Sequence, residues 1–328
     1  MLNRALLGIL LAAGITCALG ATPTTRPSHN NSRQALPFTI SKDTTAIIAP
    51  LDKNGRPNYL QALNNLAGEG LPPEKNAVVT WLRIVGTDEA FGRGDVISEG
   101  PAGLRLQTET MRRLGVKELP KKGEWESYRD YLNRKKIDDK DGTVWDGLNA
   151  AAGRLWKEED DPVLAGYLQS QAGVLAKLRG IAAGNAWYEP VLSEPEMPPG
   201  YAELRTTVTA LGAEATLALG RGDFERFLAD TAAQARLSRN VGRSPHFFGR
   251  LVALAMARQE VAGLGLALGS GHCTRAQLAR IRALLASVRP IGDIADTVDR
   301  EQRWMLLDEL LTIEAHAETG FKGGPEAM

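Results

Sequence analysis

Apolar residues recur at steps of three and four along almost the whole chain from Pro57 onward, the spacing of amphipathic helices. That period predicts helices near 57–68, 73–85, 102–114, 124–136, 143–157, 162–184, 201–219, 223–242, 245–268, 275–288 and 293–318. In 201–219, Leu204, Val208, Leu211, Ala215 and Ala218 form one stripe for burial, and Leu278, Ile281, Leu285 and Val288 form another. Capping signals mark several starts. Asp161 before Pro162 and Ser244 before Pro245 each set an oxygen ahead of a proline at the first helical position. Thr274 with Gln277 makes a capping box. No comparable run of alternating strands exists, so the expected class is all-α, with antiparallel helical hairpins stacked in two halves.

Prolines divide those halves. Pro190, Pro195, Pro198 and Pro199 forbid helix across 189–200, which separates an N-terminal helical region (51–188) from a C-terminal one (201–319). Trp187 and Tyr188 lead into this connection and are expected to cover the core beneath it. In the second half, Gly222 turns the chain, Asp223 caps, and Phe224 and Phe227 anchor the next helix. This hairpin resembles a tetratricopeptide unit and raises the expectation of such an array, yet no second or third copy matches it. Gly323, Gly324 and Pro325 make 320–328 a flexible tail.

The opening residues carry an address. Arg4 precedes an apolar run from Ala5 to Thr16, and Ala18-Leu19-Gly20 supplies the small residues of a cleavage site, so 1–20 reads as a signal peptide. A bilayer span needs about 20 apolar residues, which this run does not reach. The expectation is export to the periplasm or cell envelope, with no transmembrane helix in the mature chain. Lipidation at Cys17 is the minor alternative, disfavoured by Gly14 and Thr16 where such signals place Leu and a small residue. After cleavage Cys273 is the lone cysteine, which excludes an intrachain disulfide. Residues 21–50 read as a Thr-, Ser- and Pro-rich linker with a short extended segment, Ala46-Ile47-Ile48, at its end.

Two acidic turns, Asp52-Lys53-Asn54-Gly55 and Asp138-Asp139-Lys140-Asp141-Gly142, fail as calcium loops. Pro50, Pro57 and Gln61 occupy ligand positions of the first, and Ile137 and Leu148 those of the second. The first turn also opens a wider set of motifs. Leu51-Asp52-Lys53-Asn54-Gly55 runs into Tyr59-Leu60-Gln61-Ala62-Leu63-Asn64, followed by Leu71-Pro72-Pro73-Glu74-Lys75-Asn76-Ala77. Asp161-Pro162-Val163-Leu164-Ala165, Trp187-Tyr188-Glu189-Pro190, Gly222-Asp223-Phe224, Glu301 and Leu307-Asp308 continue the set. Across residues 50–310 the chain resembles an uncharacterised family of exported, helix-rich proteins of planctomycete bacteria. The resemblance implies a helical envelope or periplasmic protein and no assigned activity.

Charge changes the picture only locally. The chain has 39 basic and 39 acidic residues, a balance that argues against nucleic-acid binding. Residues 221–258 hold seven arginines against Asp223, Glu225 and Asp230, while 124–161 hold eleven acids against seven bases. Arg236, Arg239 and Arg243 step along one helix face and are the candidate partner-binding residues, for an envelope protein or anionic surface.

Glu301 and Asp308 are the candidate catalytic pair. Seven apart, they share a face of the last helix with Ile294, Val298 and Met305, where a core stripe is expected. Carboxylates on such a stripe need partners, either arginines such as Arg250 or Arg258, or a reaction to serve. Histidine adds no metal or cofactor site: His29, His246, His272 and His316 show no paired-ligand spacing. His272 beside Cys273 reads as a capping loop. The leading expectation is therefore an exported binding or scaffolding protein, against the alternative of a hydrolase or lyase of an envelope polymer. A structural part of a larger assembly, tethered by 21–45, is the third reading.

Overall fold

The computed structural model describes residues 38–91, 101–138, 143–184, 186–192, 200–271 and 273–318. The signal peptide, Cys17, most of the linker, Asp139–Gly142, Pro195, Pro198, Pro199, His272 and the 320–328 tail lie outside the described residues.

The fold is all-α. In chain order the helices are α1 (Tyr59–Ala67), α2 (Ala77–Val85), α3 (Thr87–Ala90), α4 (Pro101–Arg113), α5 (Tyr128–Arg134), α6 (Thr143–Ala152) and α7 (Pro162–Ser170). They continue with α8 (Ala172–Gly184), α9 (Tyr201–Gly220), α10 (Phe224–Val241), α11 (Phe247–Gly269), α12 (Arg275–Ser287), α13 (Ile294–Thr297) and α14 (Arg303–Glu318). A 3-10 turn (Pro73–Lys75) precedes α2, and a π-turn (Val298–Gln302) leads into α14. Among the described residues only isolated bridges, Leu51 with Pro57 and Asn76 with Ala186, represent β pairing.

Helix α9 is the axis of the molecule, packing on α3, α6, α10 and α11. Small residues make this possible: Ala210, Gly212, Ala213 and Ala215 are buried and let neighbours approach from several sides. At Gly212 a Cβ would press the Gln234 amide at 2.7 Å, and at Gly220 it would lie 2.1 Å from the Trp156 carbonyl oxygen. The Trp156 indole donates to Ala213 O at 3.2 Å and Thr216 Oγ1 at 3.1 Å, so the chain leaving α6 is stitched onto α9. That is why α6 ends at Ala152 rather than near 157: the backbone must extend to lay Trp156 on α9.

The helical regions before and after 189–200 share one core, in which Ala77, Trp81, Trp125, Tyr167, Leu204, Leu237 and Met256 are all buried. Two buried asparagines hold the start of the connection against it. Asn64 Nδ2 donates to Val191 O and its Oδ1 accepts from Val191 N, both at 2.9 Å; Asn76 Nδ2 donates to Tyr188 O at 3.0 Å. Trp187 and Tyr188 are buried beneath it.

Several boundaries differ from the periodic reading. The 124–136 segment is helical only over Tyr128–Arg134, because the Glu124 and Trp125 amides both bond to Ile84 O and Ser127 caps the later start. The 162–184 run breaks at buried Gln171. Helix α12 buries Ile281 and Leu284, leaving Leu278 and Leu285 of the anticipated stripe exposed. The end of the segment read as linker is folded: Thr45 and Ile47 are buried, and Tyr59 Oη donates to Thr45 O at 2.7 Å. The 52–55 turn forms as read, with Asp52 Oδ1 accepting from the Asn54 and Arg56 amides at 2.8 Å.

Candidate functional site

Glu301 sits at the end of the π-turn, 8% exposed, where the last helical segment meets the start of α11. Ser244 does not cap that helix as its position before Pro245 suggests. Helix α11 starts two residues later, at Phe247, and Ser244 Oγ accepts from His246 N at 3.2 Å instead. The cap comes from across the fold: Phe247 N donates to Glu301 Oε2, while Glu301 Oε1 meets His246 Nδ1 at 3.2 Å. His246 Nε2 meets Pro190 O at 3.2 Å, tying the proline-rich connection to the same point. The partner of Glu301 is thus a histidine and a backbone amide, not Arg250 or Arg258.

The surrounding groups are ionisable and enclosed. Tyr201 Oη donates to Glu189 Oε2 at 2.6 Å. Burial pushes the Glu189 carboxyl up, against the pull of His246, and drives the Tyr201 phenol well up. Burial also opposes a charged His246 ring, but the Glu301 hydrogen bond and the Glu189 and Glu301 carboxylates outweigh it, holding His246 above its ordinary value. Glu189 and Tyr201 line a cavity of about 30 Å³ with Trp81, Trp187 and Leu204, large enough to hold water.

Asp308 lies elsewhere. Two helical turns past Glu301, about 10 Å of rise, it faces the turn before α1, and burial and Asp52 raise its carboxyl. Trp304, Leu307 and Leu311 of the same helix pack on Ile47, Tyr59 and Ala62. Glu301 of the π-turn and Asp308 of α14 each meet a different element, one α11 and the other the α1 region.

The three candidate arginines divide as well. Arg236 and Arg243 are exposed. Arg239 turns inward and pairs with Glu260 of α11, which is fully buried and whose carboxyl burial raises. A second internal network joins α8, α9 and α10: Arg179 bonds Glu214 and Asp230, and Arg226 bonds Glu214. Burial first, and Glu214 second, push Asp230 up to about 7 against the opposing pull of Arg179 and Arg226. Glu214 also borders a cavity of about 450 Å³ with Pro162, Leu168, Gln169 and the Glu158–Arg221 ion pair. Among the described residues no group of three or more His, Cys, Asp or Glu is placed to hold a metal ion.

The feature that periodicity did not isolate is the outer face of α11. Phe248, Leu251, Leu254, Val261 and Leu268 are 41–62% exposed, while Ala253, Met256, Glu260, Leu264 and Ala267 are buried on the opposite side. Both sides are apolar, so no amphipathic contrast marks which one faces out. By length and composition α11 is also long and apolar enough to cross a membrane, with a third of its apolar window buried in the fold.

No protein-family model, curated protein or solved structure matches the chain, so the family resemblance rests on its motifs alone.

Proposed function

We propose that the chain is an exported, helical binding module of the periplasm or cell envelope, and that the outer face of α11 is its contact surface. The observation that carries this reading is that face itself. Five large hydrophobic residues stand exposed along one 23-residue helix, where isolated exposed side chains would be unremarkable and a continuous stripe marks an interaction site. The signal-like pattern of residues 1–20 supports export, and the exposed Arg236 and Arg243 favour an anionic partner. A tetratricopeptide-like arrangement of the second half belongs to the same proposal. Against a hydrolase or lyase stand the duties of its two carboxylates: Glu301 is engaged by Phe247 N and His246, and Asp308 faces another element.

The test is co-sedimentation of the chain from Ala21 onward with the whole envelope fraction of its host. Replacing Leu254 and Val261 together by Glu should abolish retention while leaving the melting temperature unchanged, because neither side chain is in the core. Retention of the double variant equal to wild type would sink the reading.

A further inference from the structure

Building on that binding-module reading, we infer that α11 docks on an anionic phospholipid surface, its outer hydrophobic residues entering the bilayer interface and its exposed Arg258 reaching the lipid phosphates. The argument begins with the charges on the helix. Arg250, Arg258 and Glu260 are its charged residues; Glu260 is buried against Arg239, so the charge α11 turns outward is positive. Arg258 is exposed between Leu254 and Val261, in the middle of the apolar stripe. A protein partner covering that stripe would have to bury this guanidinium with a matching acid. In a bilayer interface its long stem lies along the apolar face while the head reaches the phosphates.

Arg250 strengthens the case. It lies at the border of the stripe, one residue before Leu251 and four before Leu254, and its Nε and Nη1 are buried without a hydrogen-bond partner. Those two nitrogens are sealed within the fold, so Arg250 adds positive potential at the edge of the stripe rather than a direct phosphate contact. Arg300 of the π-turn adds a second positive charge nearby, and burial together with that neighbour lowers Arg250, while Asp293 and Asp296 pull the other way. Those two acids form no ion pair within 4 Å of it among the described residues. Arg250 seats against Gly292, where a Cβ would lie 2.2 Å from Nη1. An exposed apolar stripe with a central arginine and flanking positive charge suits a helix lying in the plane of an anionic membrane surface, its other side held by the fold.

Protein-free vesicles test the inference. The chain from Ala21 onward is mixed with vesicles of phosphatidylcholine alone, or with one quarter phosphatidylglycerol, and bound protein is separated by flotation at low and high salt. The expected result is binding to the anionic vesicles that is largely released at high salt and weak on neutral ones. Arg250→Gln and Arg258→Gln should each weaken it about fivefold, and Leu254→Glu with Val261→Glu should abolish it. Exposed Arg154→Gln, in the loop after α6, serves as a control for general charge, and melting temperatures confirm that each variant folds. Retention on the envelope fraction without binding to anionic vesicles would overturn the lipid assignment and leave the binding-module reading intact, with a protein as partner. Vesicle binding unaffected by the α11 substitutions would assign it to another surface. A dimer in solution that the Leu254→Glu, Val261→Glu variant dissolves, with no vesicle binding, would assign the face to a second copy.

Discussion

Glu301 caps α11 from 54 residues away: its carboxylate accepts the Phe247 amide and meets the His246 ring, itself bonded to Pro190 O. The last helix, the start of α11 and the proline-rich connection therefore meet at one carboxylate. A negative charge at a helix N-terminus is favourable through both the orphan amide and the helix dipole. The consequence for function is direct. The acid that stands out on the apolar stripe of the last segment has a structural duty that accounts for its position.

Replacing Glu301 by Ala should cost about 2–3 kcal/mol, from the lost cap and a histidine left without its partner. Gln, which keeps an acceptor for Phe247 N, should cost less than half of that. The readout specific to this arrangement is His246. Its folded value is raised above the ordinary 6.5, so the stability it contributes is fully present below that pH and is lost as pH rises through the folded value. In Glu301→Gln, histidine titration followed by NMR should shift to lower pH; an unchanged His246 titration would show that Glu301 does not hold it.

The three arginines at 236, 239 and 243 should behave unequally. Arg239→Ala leaves fully buried Glu260 without its guanidinium and should destabilise by about 3–5 kcal/mol. Arg236→Ala and Arg243→Ala, both exposed, should stay within about 0.5 kcal/mol. Urea unfolding of the three variants makes the comparison, and equal losses at all three positions would contradict the inward turn of Arg239.

Helix identity was largely legible because caps and periods are local. Asp161 Oδ1 accepts Leu164 N at 2.9 Å, Asp223 Oδ1 accepts Arg226 N at 3.0 Å, and the Thr274–Gln277 box forms as its residues suggest. What was not legible depended on partners distant in sequence. Ser244 looked like a cap because Pro245 follows it, but a carboxylate from the last segment took that place. Glu124 and Trp125 looked helical until Ile84 O supplied an acceptor for both amides. The outer face of α11 has no signature in the sequence because periodicity identifies a buried side only by contrast with a polar one, and this helix is apolar on both. His246 looked isolated because Glu301 and Pro190, which engage its ring, lie more than 50 residues away along the chain.

Asp230 supplies a pH signature for the internal network. Its carboxyl is pushed up to about 7, against an ordinary value of 3.8. Between those values the folded state holds a proton that the unfolded chain has released, so its contribution makes stability fall as pH rises from about 4 to 7, then level off. Asp230→Asn should flatten that part of the profile. Melting temperature measured across this range for both proteins is the check; the same slope in the variant would place the titrating proton on another group.

Asp308 tests the carboxylate that was paired with Glu301 on sequence grounds. Burial and the nearby Asp52 raise its pKa, so its charged form opposes folding rather than supporting it. The sign is therefore opposite to that of a salt-bridged acid: its destabilising effect appears as pH rises through the ordinary carboxylate range and fades on acidification. Asp308→Asn should be neutral or stabilising near pH 7, by up to about 1 kcal/mol, and should leave the His246 titration where it is. Asp52→Asn should recover part of the same gain by removing the repulsion, and the double variant should gain less than the sum of the two, because they relieve one interaction. Destabilisation by Asp308→Asn near neutral pH would instead mean that this carboxylate has an attractive partner in the fold.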